Sequence, residues 1–323
     1  MPSTLLPPVA KKPLPETSKQ FRDDVLEGLN SPTVAIPSKY FYDRQGSLLF
    51  DQICEVEEYY PTRTETGIMQ RYAGMMAACI GTNARLVEYG SGSSMKTRIL
   101  LNQLNKLDSY LPIDISSAHL HATADSLSAE YPHHTIKPIV GDFTKPLHLP
   151  KTTTPTTRTC IYFPGSTIGN FTHDKASELL HSMRTTAGER GSLLIGFDLH
   201  KEKHILEAAY NDREGVTARF NLNLLSRINR ELDAQVEVKN FEHRAIFNEQ
   251  AGRIEMRLRS LCNQSIRISD QFFHINEGDE VLTEYSHKYT VEGFTTMADE
   301  AGWSCRAVWH DPNMYFAVMF LEA

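Results

Sequence analysis

Between Arg85 and Asp198 short apolar runs alternate with longer amphipathic stretches, and this rhythm restricts the chain more than any other feature. RLVEYG, YLPIDIS, IKPIVGDF, TCIYFPG and SLLIGFDL read as strands buried on both faces, the texture of a parallel sheet. KTRILLNQLNKL and KASELLHSM, lying between them, carry apolar residues at helical spacing. Strand and helix in alternation predict an α/β fold with helices on both faces of the sheet. Such sheets bind ligands beyond the carboxyl ends of their strands. Those ends are Gly90, Asp114, Asp142, Gly165 and Asp198.

On either side the rhythm is absent. The first ~16 residues are proline-rich and read as extended. Phe21, Val25 and Leu29 then recur at helical spacing, and further helices are expected after Gly46 and from about Thr64 to Cys79. After about Lys201 comes a long helical stretch, VTARFNLNLLSRINREL, followed by strand-like VEVKNFEHRAIF, RIEMRLRSL and SIRIS. This α+β texture looks inserted. VEGFTTMADEAG predicts a helix, and WSCRAVWHD with YFAVMFLEA a hairpin returning to the sheet over a DPNM turn.

A chain of 323 residues implies one elaborated domain or two. Its net charge of -7 argues against a general nucleic-acid binder, which needs a basic surface. The five scattered cysteines form no CxxC pair and point to free thiols rather than a disulfide framework or a zinc site. The thirteen histidines include close pairs, but none has a Cys or carboxylate arrangement resembling a zinc site, so no metal is expected. No window approaches a membrane span, and the N-terminus lacks a signal-peptide pattern. A cytoplasmic protein, without membrane or nucleic-acid partners and acting as a monomer, is the expectation.

The turn VEYGSGSSMKT narrows the ligand. A dinucleotide fingerprint wants a third glycine where Met95 stands, and a P-loop wants GK followed by Ser or Thr, which is absent. Downstream, Asp114 ends the next strand, where it can accept hydrogen bonds from ribose hydroxyls. One strand later GDF offers Asp142 and Phe143 to an adenine amino group and ring face. Glycine turn, ribose acid and adenine acid on successive strands are the layout for S-adenosylmethionine on a class I methyltransferase sheet, a Rossmann-like architecture.

YFYDRQGSLLFDQICEVEEYYPTRTETGIM, LVEYGSGSSMKTRILL, PIDIS, VGDF, YFPGSTIGNF, AAYNDREGVTARFNLNLLSRINREL, RIEMRL and LTEYSHKYT together resemble the histidine N-alpha-methyltransferases of ergothioneine biosynthesis, the EgtD family, from about Ser38 to the end. The resemblance implies three methyl transfers from S-adenosylmethionine to the α-amine of L-histidine, giving hercynine. It implies a methyltransferase domain over 61–200 plus 287–323 and a substrate-binding α+β domain over 1–60 plus 201–286. Carried over by motif, the cofactor residues are Gly90, Lys96, Asp114, Asp142 and Phe143. The substrate residues are Tyr42, Phe50, Tyr59, Gly165, Asn170, Tyr210, Met256, Glu284 and Ser286, with Tyr59 and Asn170 nearest the reacting amine.

The residue types suit that chemistry. Each methylation removes an N–H donor from the amine, so the anchor must lie on the carboxylate and imidazole. Glu284 can accept a ring N–H, and Ser286, two residues on in a strand, faces the same side. Phe50 and Met256 would wall the ring. Each residue also has a plainer reading. The aromatics and Met256 could be core, Lys96 a first-turn lysine, and Asn170 a cap for the helix starting near Thr172. Tyr89, Met95 and His287 depart from what is most typical of the family. The alternatives are a related enzyme methylating tryptophan or another aromatic amine, and a non-catalytic S-adenosylmethionine-binding protein.

Overall fold

The computed structural model describes residues 16–92, 94–147, 149–151 and 158–323, so most of the proline-rich opening lies outside the described residues. The chain begins with α1 (Glu16–Asn30), α2 (Arg44–Glu55) and α3 (Tyr60–Ile80). The alternating segment follows as β1 (Ala84–Tyr89), α4 (Met95–Leu101), β2 (Leu107–Asp114), α5 (Ser117–Glu130), β3 (Ile139–Val140), β4 (Thr159–Phe163), α6 (His173–Ala187) and β5 (Ser192–Asp198). Next come α7 (Lys203–Tyr210), α8 (Val216–Glu231), β6 (Ala234–Gln235), β7 (Phe241–Asn248), β8 (Arg253–Ser260), β9 (Gln264–Ile268), β10 (Gln271–Ile275) and β11 (Glu280–His287). The chain ends with α9 (Val291–Glu300), β12 (Ser304–His310) and β13 (Phe316–Glu322).

One seven-stranded sheet has the order β3-β2-β1-β4-β5-β13-β12. β3 through β5 run parallel, while β13 is antiparallel to both β5 and β12. This is the class I methyltransferase arrangement. The strand order reverses at β1 and β4, which opens a crevice at their carboxyl ends. Alternation along each strand feeds two cores. Val87, Ile161 and Ile195 face α6 and α9, whereas Leu86, Tyr162 and Leu194 face α3 and α4.

A third core joins α1, α2, α7 and α8 to two smaller antiparallel sheets, β11-β8-β7 and β10-β9-β6. Among the described residues no helix is long and apolar enough to cross a membrane.

Two expectations shift. Only Ile139 and Val140 of IKPIVGDF form a strand, at the sheet edge, and Val140 is 51% exposed. Pro138 has no N–H to give a ladder, which confines that segment to the edge. VEVKNFEHRAIF enters its strand only at Phe241, after a 3-10 turn over Val238–Asn240.

The FYDRQG stretch is built around a close backbone approach. Asp43 caps α2 by accepting the Gly46 N–H at 2.7 Å. A Cβ on Gly46 would stand 1.7 Å from the Phe41 carbonyl oxygen, a backbone atom that cannot swing away. Gly46→Ala should therefore lower unfolding free energy by more than about 2 kcal/mol in urea titrations, although alanine favours helix. An unchanged midpoint would show that this approach is soft.

Candidate active site

The glycine turn takes a shape that ordinary residues resist. Gly90, Gly92 and Ser94 have φ of 73°, 47° and 56°, all left-handed. A Cβ on Gly92 would meet nothing within 4 Å, and one on Gly90 would meet only the Phe143 ring, at 3.7 Å. The turn is therefore a cradle with open space above it and Phe143 on one side. Tyr89 stacks on Phe143 with ring centroids 5.4 Å apart, so this departure from the typical residue buttresses the Phe143 ring.

Asp114 accepts the Ser116 N–H at 2.9 Å through one oxygen. Asp142 is held likewise by Thr144 N–H, and Lys39 stands 4.0 Å from its other oxygen. A group with two ribose hydroxyls and an adenine fits this rim. Glu88, by contrast, does not face it. Its carboxylate accepts hydrogen bonds from Thr97 and Tyr110, clasping α4 and β2 to β1, and burial pushes its pKa up to about 7.

Lys96 is paired with Glu65, a carboxylate with 1% side-chain exposure. Glu65 also accepts the Gly165 N–H at 2.9 Å, so one acid ties the cofactor turn to the PGSTIGN loop. That loop turns through Gly165 (φ 82°) and Ser166 (φ 57°) into a 3-10 turn ending at Asn170. Thr172 occupies the N-cap position of α6, without a side-chain capping bond, so Asn170 does not hold the capping position it could have had.

The substrate candidates meet in one aromatic nest. Tyr42 lies 5.6 Å from Phe50, Phe50 6.4 Å from Tyr59, and Tyr59 5.9 Å from Tyr210, all between ring centroids. Met256 pairs across the ladder with Glu284, in the same core as these rings. Ser286 shares Glu284's face of β11, and its hydroxyl is 2.7 Å from that of Tyr210. Glu284 lies close enough to Tyr42, Tyr59 and Tyr210 to raise the pKa of each. Burial remains the main cause of those increases, so the phenols stay protonated near neutrality. His287, next in the strand, points away from this face. It is 3% exposed, packs 4.7 Å from His173, and is neutral because burial pushes its pKa down to about 4.

Behind the nest lies a buried charge cluster that residue spacing does not reveal. Asp198 accepts from Lys288 at 2.8 Å, Lys201 at 2.7 Å and Tyr60 at 2.6 Å. Burial opposes its charge, but the two ammonium groups hold its pKa below the ordinary carboxylate value. Lys288 also donates to Ser286 at 2.7 Å and Tyr210 at 3.2 Å. The sequence did carry one signal for the missed acid: Glu65 interrupts the apolar stripe Ile68, Met69, Ala73 and Met76 of α3.

Burial pushes the Glu284 pKa up to about 8, with Lys288 opposing. A folded pKa above the unfolded value means that the folded protein holds the proton more tightly. Stability of the ligand-free protein should fall as pH rises from about the ordinary carboxylate value of 4.5 to about 8, then level off. Glu284→Gln should remove that decline, so its melting-temperature advantage over wild type grows across this window. A difference independent of pH would show that Glu284 ionises as readily as a surface carboxylate.

The family model for histidine-specific, S-adenosylmethionine-dependent methyltransferases matches residues 21–323. The chain is 39% identical over 300 residues to the histidine N-alpha-methyltransferase of Mycolicibacterium smegmatis, covering 91% of this chain and 92% of that one. It is 41% identical to the Mycobacterium tuberculosis protein of the same name, covering 83% and 84%. It is 26% identical to the L-tryptophan methyltransferase of Psilocybe serbica, covering 95% of this chain and 94% of that one. Among solved structures, a possible exported protein of Bordetella parapertussis shares the fold at 10% identity, with a TM-score of 0.51 and coverage of 94% and 93%. The chain belongs to the family of histidine-specific, S-adenosylmethionine-dependent methyltransferases.

Proposed function

We propose that this enzyme trimethylates the α-amine of free L-histidine to hercynine, as a cytoplasmic monomer. The observation that carries this reading is Glu284, a buried acid set among the aromatic rings Tyr42, Tyr59 and Tyr210. We assign the substrate pocket to the unit formed by 1–60 and 201–286, and the cofactor to that formed by 61–200 and 287–323.

S-adenosylmethionine, when bound, supplies a methyl group already activated on a sulfonium. The residues of the chain have only to deliver a neutral amine in line with that methyl, and positioning of this kind is worth several kcal/mol. Gly90, Lys96, Asp114, Asp142 and Phe143 would hold the cofactor along the crevice. Asn170 and Tyr59 would orient the amine, with Tyr210 at the carboxylate and Gly165 letting the backbone pass close by. Because burial keeps Tyr59 and Tyr210 protonated, they serve as hydroxyl donors rather than bases.

The amine loses one N–H at each turnover, so the pocket must hold the substrate at its other end. Glu284 accepts a ring N–H, Ser286 meets the same ring, and Phe50, Met256 and Tyr42 wall its faces. An indole would leave part of this polar pair unmatched, which favours histidine over tryptophan.

Mass spectrometry of a reaction with S-adenosylmethionine and a panel of amino acids tests the reading. Histidine should gain three methyl groups, and tryptophan none. Labelling of tryptophan or another amine instead would overturn the roles given to Glu284, Ser286 and Met256. Glu284→Ala should raise KM for histidine at least about tenfold with cofactor affinity little changed, and Asp114→Ala should do the reverse. Histidine turnover with an unchanged KM in Glu284→Ala would exclude the ring-anchor role.

A further inference from the structure

The PGSTIGN loop and β11 meet backbone to backbone. β11 is an outer strand of its sheet, and Gly169 lies against it at His287. A Cβ on Gly169 would stand 2.8 Å from the His287 carbonyl oxygen and 3.2 Å from its nitrogen. Gly169 is not among the left-handed glycines, so it is the approach and not the turn that demands its small size. Neither side of this seam yields easily. In the loop, Ser166 donates its N–H to the Gly196 carbonyl, and its hydroxyl accepts the Asp198 N–H. Ile168 is fully buried, and its carbonyl accepts from the Tyr289 phenol at 3.4 Å. In the strand, His287 is in register with Arg253 of β8, and the next two N–H groups donate to Gly252 and Asp198, each at 2.9 Å.

The seam joins the two ends of the proposed pocket. Gly169 immediately precedes Asn170, assigned to the amine, and His287 immediately follows Ser286, assigned with Glu284 to the ring. We infer that Gly169 is a positioning residue that sets the length of the substrate: its approach to β11 fixes the span between amine and ring, so that the enzyme methylates α-amino acids with a single methylene between the α-carbon and an azole ring. This rests on the histidine reading above. A longer side chain still seats its ring, but its amine falls out of line with the sulfonium methyl, and misplacement by about 1 Å costs about 100-fold. Discrimination by length therefore lies in kcat more than in KM.

The test compares histidine with homohistidine, which adds one methylene, in wild type and in Gly169→Ala. Wild type should methylate homohistidine with a kcat at least about 30-fold lower, while KM rises less than about tenfold. Alanine must open the seam from 2.8 Å to the 3.4 Å at which ordinary contact begins. That should lower kcat for histidine at least about fivefold, with its KM and S-adenosylhomocysteine affinity within about twofold of wild type. Homohistidine should lose less, so the preference in kcat shrinks at least about fivefold.

A merely destabilised enzyme loses activity toward both substrates alike, so equal losses in Gly169→Ala would overturn the inference. The wild-type comparison decides even where Gly169→Ala does not fold: a smaller gap in kcat between histidine and homohistidine would show that the seam does not measure length. Either result leaves histidine as the substrate. A wild-type protein that leaves histidine unmethylated would overturn the substrate reading and this inference together.

Discussion

Asp198 carries a negative charge into the interior at the end of β5, and Lys288 and Lys201 both pair with it there, with 0% and 4% side-chain exposure. Removing one partner of such a buried pair costs about 3–5 kcal/mol, because the other is left uncompensated. The charges are held at the junction of three parts of the chain. Asp198 ends a strand of the large sheet, Lys288 follows the last strand of a small one, and Tyr60 opens α3. The backbone repeats the junction, with Tyr289 N–H donating to the Asp198 carbonyl at 2.9 Å. Ser166 is bound in as well, its hydroxyl accepting the Asp198 N–H at 3.0 Å. The PGSTIGN loop is thus registered against the same point.

A second buried acid performs the equivalent task on the cofactor side. Glu65 accepts from Lys96 and from the Gly165 backbone, and Gly196 leaves room for it: a Cβ there would stand 2.2 Å from its oxygen. Lys96 and Lys288 therefore each have a carboxylate partner. Such pairing suits methyl transfer, in which one positive charge passes from the sulfonium to the amine and an unpaired lysine would repel it.

Much of this was legible in the sequence because the relevant signals are local. Periodicity placed β1, β2, β4, β5 and the closing hairpin, and the strand ends located the crevice. Glu284 and Ser286 share a face by strand alternation alone. Other features depend on side chains far apart in sequence. Nothing near Lys288 announces Asp198, ninety positions earlier. Glu65 shows only as an acid in an apolar stripe. Glu88 directly precedes the glycine turn in sequence, yet its carboxylate is directed into the core, where Tyr110 donates to it. The β3 strand shrank because edge position and Pro138 limit pairing, which a run of apolar letters does not reveal. His287, which departs from the typical family residue, is buried on the far face of β11.

On the proposed function, one pocket, walled by the aromatic nest and bounded by the cofactor crevice, takes histidine ring-first onto β11. A crystal structure with histidine and S-adenosylhomocysteine tests it most directly. The imidazole nitrogens should lie about 3 Å from the Glu284 carboxylate and the Ser286 hydroxyl, with the α-amine turned toward Asn170 and the sulfur. An imidazole seated elsewhere, or an amine directed away from the sulfur, would contradict the account.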